Sequence, residues 1–252
     1  MRFRRRNVNP YTGNIFGKGQ PVSPSATLRK PRSKPAKTVP VAPAKEPVAR
    51  AYHHGALREA LLEGAERILR RDGLRSLTLR QMAREVGVSH TAPVHHFGDT
   101  AGVLSELAAR GHLRLAAEMF ECARGIEREE ERRRAIARAY IGFAVEQPDL
   151  FRLMSRFELL DQSNETLNDA RRKSIRALAG VFEDRSAAQR PPGRIEPEHM
   201  MWMVAAWSYV HGLASLLIDG RLDSLPALSG FEHLTELVET TIDRVRIAIA
   251  EQ

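Results

Sequence analysis

The chain has 252 residues, of which 42% are hydrophobic and 28% charged, so it is long enough for one or two domains with a hydrophobic core. Its single cysteine excludes an intramolecular disulfide and the cysteine-rich zinc sites, and is compatible with a reducing cytosol. Aromatic residues make up only 6%, and the good helix formers Ala, Leu, Arg and Glu dominate, which favours an all-α fold.

The positive charge is concentrated in the first 50 residues, which contain twelve Lys and Arg and one acidic residue. That segment carries a net charge of +11 and leaves −3 for the rest of the chain, whose total is +8. It also holds eight of the fourteen prolines and too little apolar sequence to offset the entropy of ordering it. We therefore predict a disordered basic tail over 1–50. Its function would be that of a polycation, which binds nucleic acid or an anionic surface. The alternative is a tail that only improves solubility, or a start codon assigned too early.

From Tyr52 the pattern becomes helical. Apolar residues recur at helical spacing in a first helix, which Gly73 ends. Thr78 and Gln81 have the spacing of a capping box and begin a short second helix, which Gly87 ends. Two helices of this kind predict the first part of a small helical domain over 51–98.

A third short helix follows at about 89–97, with Ser89 as its cap and Pro93 in its first turn. Two short helices joined by Gly-Val-Ser, the second rich in hydrogen-bonding side chains, predict a helix-turn-helix. A recognition helix must present donors, or an alanine methyl for thymine, to base edges in the major groove. The residues we predict to contact DNA are Thr78, Arg80, Ser89, His90, Thr91, Ala92, His95 and His96.

The segment Leu77–Ser89, followed by His95-His96-Phe97 and Asp99, resembles the DNA-binding domain of TetR-family transcriptional regulators. Further on, Trp207-Ser208-Tyr209-Val210-His211-Gly212 resembles the Trp…His-Gly signature of one TetR subgroup's ligand domain. The resemblance implies a cytoplasmic, nucleoid-associated homodimer that binds a palindromic operator in double-stranded DNA. It also implies a repressor that a small apolar or amphipathic ligand releases, with no enzymatic activity and no cofactor.

The resemblance has two departures. The family usually has Tyr where this chain has Val94, and Lys where it has Thr100. Both usual residues commonly contact phosphates in the family, so two backbone contacts with DNA are absent here.

The rest of the chain, 99–252, shows helical patterns and no convincing strand, and we predict a six-helix ligand-binding and dimerisation domain. Its aromatic and methionine residues are more often ordinary core than pocket, and His211 and Cys122 are also readily explained as core residues. A protein that changes conformation when a ligand binds has reason to keep a cavity among these side chains. The candidate ligand pocket consists of Phe120, Phe143, Met154, Phe157, Phe182, Trp202, Tyr209 and His211.

The segment from Met200 to Ile218 contains no Lys, Arg, Asp or Glu and is long enough for a membrane span. We favour a buried helix, because His211 and Ser215 would be costly in lipid and the remaining chain offers no second span. The final helix, about 230–250, provides a matching apolar seam for a four-helix dimer interface. The predicted interface residues are Trp207, Leu213, Leu234, Val238, Ile242 and Val245.

Catalytic and metal-binding motifs are not found. The adjacent pairs His53-His54 and His95-His96 point to different sides of a helix, so neither pair predicts a metal site. The sequence has no Gly-rich phosphate loop and no nucleophile elbow, which argues against an enzyme. The alternative to a regulator is a helical architectural or interaction protein whose basic tail binds nucleic acid without sequence preference.

Overall fold

A computed structural model of the chain describes residues 54–180 and 197–245. Within these two ranges the regular structure is entirely helical, with no β-strand. The prediction of an all-α fold is therefore confirmed. The predicted tail over 1–50, the pocket candidate Phe182 and the end of the predicted last helix lie outside the described residues.

The helices are labelled in chain order. Their bounds are α1 His54–Asp72, α2 Leu79–Val86, α3 Ala92–Phe97, α4 Thr100–Ala123, α5 Glu129–Glu146, α6 Pro148–Met154, α7 Glu165–Leu178, α8 Pro197–Ile218 and α9 Leu234–Arg244. Short 3₁₀ turns follow α1, α6 and α8. The six helices that the described residues form after residue 99 agree with the predicted number.

Local sequence signals set the ends of α1 and α2. Gly73 and Gly87 follow these helices with φ of 78° and 74°, the left-handed region that glycine adopts without a steric penalty. Thr78 caps α2, because its Oγ1 accepts a hydrogen bond of 3.2 Å from the backbone N–H of Gln81. This bond is one half of the predicted capping box, and it fixes where the second helix begins.

The first three helices pack on one another and on the start of α4. Their core consists of side chains with almost no exposed surface: Leu61, Leu62, Ala65, Ile68, Leu69, Leu77 and Met82. The same apolar cluster continues into Val103 and Leu107 of α4 and on into the later helices. One hydrophobic core therefore contains residues from both sides of the predicted domain boundary between 51–98 and 99–252. The packing is continuous there, and the division into two domains stays a prediction.

The helix α4 organises the second half of the fold. It packs against α5, α6 and α7, while α8 and α9 pack on α5. Gly111 allows α6 to approach closely, since a Cβ at that position would lie 2.5 Å from Sδ of Met154. Directly after α3, therefore, the chain enters a helix that touches most of the remaining structure.

Within this chain, the helix α8 keeps most of its surface exposed. By its length and composition, the segment Met200–Ile218 could cross a membrane. Of 18 consecutive residues in this segment, only 17% are buried within the structure. Met201, Val204 and Trp207 all have exposed side chains. Neighbouring helices of the same chain thus leave one apolar face of α8 uncovered, the face that the predicted four-helix dimer interface would bury.

Two smaller expectations also differ from the structure. Cys122 is exposed rather than in the core, because Met119 and Ala123 take the inward positions of that helical turn. The third helix begins at Ala92 rather than near Ser89, since Ser89 forms a turn before it in which its carbonyl accepts a 3.0 Å hydrogen bond from the N–H of Ala92.

Candidate functional site

The turn between α2 and α3 is built by backbone and side-chain hydrogen bonds. The N–H of Val88 donates to the carbonyl of Ala83 at 2.9 Å, which closes the end of α2 around the left-handed Gly87. Ser89 Oγ then accepts a hydrogen bond of 3.2 Å from the N–H of Thr91 and lies 2.6 Å from Thr91 Oγ1. The arrangement has the two-helix geometry of a helix-turn-helix.

The short helix α3 has one anchored side and one free side. Pro93 is buried, and Phe97 packs against the core while the Arg58 guanidinium lies 5.2 Å from its ring centroid. The opposite side is exposed and carries His90, Thr91, Val94 and His95, the first two from the turn before the helix. A solvent-facing set of donors and acceptors on a rigidly held short helix can contact base edges in a major groove.

The other predicted DNA contacts divide into three groups. Arg80 is exposed at the start of α2 and forms no ion pair with any described residue. Thr78 and Ser89 are exposed, but their hydroxyl groups already hold the capping and turn bonds described above. Ala92 and His96 are half-buried, and the His96 ring lies 6.1 Å from that of Phe97. Val94, which replaces the family's usual Tyr, has 47% of its side chain exposed, which is unusual for an aliphatic residue.

Ion pairs tie α1 to α2 and neutralise two arginines. Glu85 of α2 pairs with Arg71 at 3.1 Å and with Arg67 at 3.2 Å. Hydrogen bonds from Arg71 and then Arg67 hold the pKa of the Glu85 carboxyl below its ordinary value. Of the seven arginines between α1 and the end of α3, Arg75, Arg80 and Arg84 form no ion pair, and the other four are paired.

Three further ion pairs connect α1 to α4. Arg58 pairs with Glu106 at 2.7 Å, and Arg110 pairs with Glu59. Arg114 binds Glu66 through both terminal guanidinium nitrogens, at 2.5 and 2.7 Å, and these hydrogen bonds lower the pKa of the Glu66 carboxyl. These pairs, here termed the α1–α4 ion pairs, join the helix-turn-helix to the rest of the molecule.

The second half of the chain contains a polar cluster inside apolar packing. The indole N–H of Trp207 donates to the Tyr140 hydroxyl at 3.3 Å, and that hydroxyl lies 3.0 Å from His211 Nδ1. The Tyr140 hydroxyl accepts from the indole, which can only donate, and it has a hydrogen and a second lone pair left for His211 Nδ1. Burial raises the pKa of Tyr140 to about 12 and lowers that of His211. His211 is thus a satisfied, half-buried histidine.

The remaining candidates for a ligand pocket differ widely in exposure. Phe143 and Met154 are buried in packed core, whereas Phe157 is 64% exposed and has the Arg171 guanidinium 5.3 Å from its ring centroid. Trp202 is half-buried, and the Tyr209 hydroxyl donates to the Thr241 carbonyl at 3.0 Å. Phe120 is partly exposed. A small cleft in the described residues lies elsewhere, lined by Glu66, Leu69, Arg70, Glu146, Gln147, Pro148, Asp149 and Leu150, and contains none of the predicted pocket residues.

His112 is the interior polar group that sequence reasoning missed. Ser174 donates its hydroxyl hydrogen to the Arg171 carbonyl at 3.0 Å, so its oxygen accepts from His112 Nδ1–H at 2.9 Å. Nε2 of His112 is therefore a bare acceptor, buried and without a partner. Burial, and then the charge of Arg171, lower the pKa of His112 to about 4. The pattern offered no signal, because one histidine on a long apolar helix is unremarkable in sequence.

Other buried polar atoms without a partner in the described part of the chain are Arg132 Nε, Arg176 Nε and Trp202 Nε1. Together with His112 they lie on α4, α5, α7 and α8. Such atoms are rare in folded proteins and gain a hydrogen bond when a ligand or water reaches them. Residues 54–180 and 197–245 contain no cluster of three or more side chains suited to a metal ion.

The predicted dimer residues fall into two classes. Val238 and Ile242 lie in the chain's own core, where Arg138 of α5 also holds α9 through Glu239, at 2.7 Å, and Asp243. Leu213 and Leu234 are half-buried, and Trp207 and Val245 are exposed. Of the predicted set, Trp207 and Val245 are therefore the residues with exposed side chains, beside the uncovered face of α8.

Comparisons with known proteins agree with this architecture. Residues 133–245 match the family described as tetracyclin repressor-like, C-terminal domain. A solved structure of a protein with unknown function from a Rhodococcus species is 32% identical, with a TM-score of 0.59, over 77% of this chain and 95% of its own. The TetR family transcriptional regulator PfmR from Thermus thermophilus is 18% identical, with a TM-score of 0.50 over 73% of this chain and 94% of its own, which shows the fold alone. A comparison with curated proteins finds no match.

Proposed function

The chain belongs to the TetR family of transcriptional regulators, and on that premise we propose that it is a homodimeric repressor which binds a palindromic operator and leaves it when a small molecule binds. The observation that carries the proposal is the exposed side of α3. It follows a left-handed turn, is anchored from behind by Pro93 and Phe97, and presents His90, Thr91 and His95 outward.

Dimerisation through α8 accounts for its uncovered apolar face. Met201 and Val204 are exposed one turn apart on a helix without charged residues from Met200 to Ile218. A monomeric soluble protein rarely leaves such a face in water, and a second copy covers it with the same face. The dimer has to hold its two α3 helices about 34–36 Å apart to reach successive major grooves.

Release by an effector follows as a shift between two arrangements of the dimer. Only two residues separate the end of α3 from the start of α4, and the α1–α4 ion pairs attach α4 to α1 as well. A small apolar or amphipathic ligand bound between α4 and the later helices weakens DNA binding if it prefers another spacing of the recognition helices. The size of the effect equals its differential affinity for the two arrangements.

The test is a competition experiment. Duplexes are selected from a random library with the full-length protein, and the enriched site is then measured against an excess of random DNA. We expect a palindrome that survives the competitor, whereas the alternative architectural protein would lose it, because its binding is sequence-independent. Enrichment of no sequence at all would overturn the proposal.

Arg80 provides a matched variant for the same experiment. It is exposed and unpaired at the start of α2, and we expect Arg80→Ala to cost about 1–3 kcal/mol on the selected site but little on random DNA. Arg221→Ala, which removes an exposed arginine after α8, is the control and should change neither affinity. An equal loss on both DNAs with Arg80→Ala would reassign this side chain to a phosphate.

A further inference from the structure

An exposed valine stands in the middle of the recognition surface. Among the described residues of α1 to α3, Val94 is the one large apolar side chain counted as exposed, with 47% of its surface accessible. Aliphatic side chains of this helical unit otherwise pack into its core or against it. A valine left in water at the protein's free face gains free energy only when a partner covers it.

The register of α3 surrounds this valine with polar side chains. Thr91, the residue before the helix, precedes Val94 by three residues, His90 lies in the turn before it, and His95 follows Val94 directly. All three are exposed, while Pro93 beside it is buried. Val94 is thus the apolar centre of a patch whose rim donates and accepts hydrogen bonds.

The major groove offers one chemical group that fits such a centre. Its base edges present nitrogen and oxygen donors and acceptors, and the only apolar substituent among them is the C5 methyl group of thymine. We propose that Val94 reads a thymine methyl group in each half of the operator, an inference that rests on the DNA-binding function proposed above.

The support behind α3 suits contact of this kind. Phe97 packs against the core under the Arg58 guanidinium, and Arg58 is itself held by Glu106 of α4 at 2.7 Å. The helix therefore has a fixed roll angle. Valine is also stiff, because its branched Cβ restricts χ1, so its two methyl groups have defined positions. Contact between methyl groups requires carbon atoms to approach within about 4.0–4.5 Å, which a mobile side chain would not maintain.

The experiment removes the methyl group from the DNA and from the protein in turn. The site selected with the full-length protein is remade with deoxyuridine in place of each thymine, one symmetric pair at a time. Deoxyuridine keeps the base pair and lacks only the C5 methyl. Each duplex is titrated with wild-type protein, with Val94→Ala and with Leu113→Ala, which truncates an exposed aliphatic residue of α4 as the control.

At one symmetric pair of thymines we expect wild-type affinity to fall about fourfold per half-site, the value of one buried methyl group. Val94→Ala should bind the thymine and uracil duplexes alike, and Leu113→Ala should behave as wild type. Val94 is exposed, so Val94→Ala should keep the wild-type circular dichroism.

Two results would overturn the inference. Wild-type protein indifferent to deoxyuridine at every position would show that no methyl group is read. A loss that persists in Val94→Ala would assign the methyl contact to another side chain, such as Ala92. In both cases an enriched palindrome would leave the proposed function intact, whereas failure of that function would appear earlier, as a library without any enriched sequence.

Discussion

At the scale of single residues, the buried His112 lowers the free energy of unfolding at acidic pH. Its neutral ring bonds to Ser174, and burial lowers its pKa from 6.5 to about 4. Between these pH values the unfolded chain binds a proton that the folded chain does not, so the free energy of unfolding decreases as the pH falls. The loss begins near pH 6.5, reaches roughly 3 kcal/mol near pH 4, and does not grow below that.

The variant His112→Asn tests this prediction. The asparagine amide can still donate to Ser174 but does not titrate, so urea unfolding between pH 7.5 and 4.5 should show a shallower loss of stability than in the wild type. His233→Asn, at an exposed histidine before α9, is the control and should keep the wild-type slope. Equal slopes in all three proteins would show that another group causes the acid sensitivity.

At the scale of secondary-structure elements, Gly102 allows the start of α4 to lie close to the end of α3. A Cβ at this position would lie 2.1 Å from the carbonyl oxygen of Phe97, a backbone atom at the end of the recognition helix. Gly102→Ala must therefore displace that junction, and we expect a loss of about 1–3 kcal/mol in urea unfolding together with weaker operator binding. Gly55→Ala in α1, where no atom lies within 4 Å of the added Cβ, should be neutral or stabilise by up to about 1 kcal/mol. Unchanged stability and binding in Gly102→Ala would contradict this view of the junction.

The uncovered face of α8 gives a prediction about assembly. Val204→Glu places a charge in the centre of the proposed dimer contact, where it meets its symmetry mate, and sedimentation should then show monomers. Leu228→Glu introduces the same charge at a more exposed leucine in the turn after α8 and should leave the dimer intact. A Val204→Glu protein that stays dimeric would move the interface elsewhere.

These elements show what sequence can and cannot predict. Thr78, Gly73 and Gly87 carry strong local signals, since capping and left-handed turns depend on neighbouring residues alone, and the structure has the helix ends they predict. The exposure of α8 and the placement of Val238 in the core depend on which helices pack together, which periodicity does not encode. For the same reason the sequence could not distinguish His112, which lacks a partner for Nε2, from His211, which has Tyr140.

For the whole molecule, we expect the basic segment 1–50 to contribute to DNA affinity. Residues 51–100 contain seven Arg and six acidic residues, and Val94 and Thr100 stand where the family usually has phosphate contacts. Residues 1–50 carry a net charge of +11 directly before that domain. Each phosphate contact adds about 0.9 to the slope of log K against log salt concentration. Deleting residues 1–49 should therefore weaken binding and flatten this slope by several units per dimer, while the preferred sequence stays the same.

Titrations of the full-length and truncated proteins at several salt concentrations measure this effect. A second truncated protein, with Thr100→Lys, should recover part of both the affinity and the slope. Equal affinity and slope with and without the tail at moderate salt would identify it as a bystander.

The α1–α4 ion pairs also fix the register of the two helices. The sequence numbers of the paired residues increase together along α1 and α4: Arg58 with Glu106, Glu59 with Arg110, Glu66 with Arg114. Sliding α1 forward by one turn would set Arg58 opposite Arg110 and Glu66 opposite Glu118, so two of the three attractions would become repulsions. The ion pairs therefore oppose a forward slip of α1 along α4 by one turn, and they couple a displacement of α4 to α1.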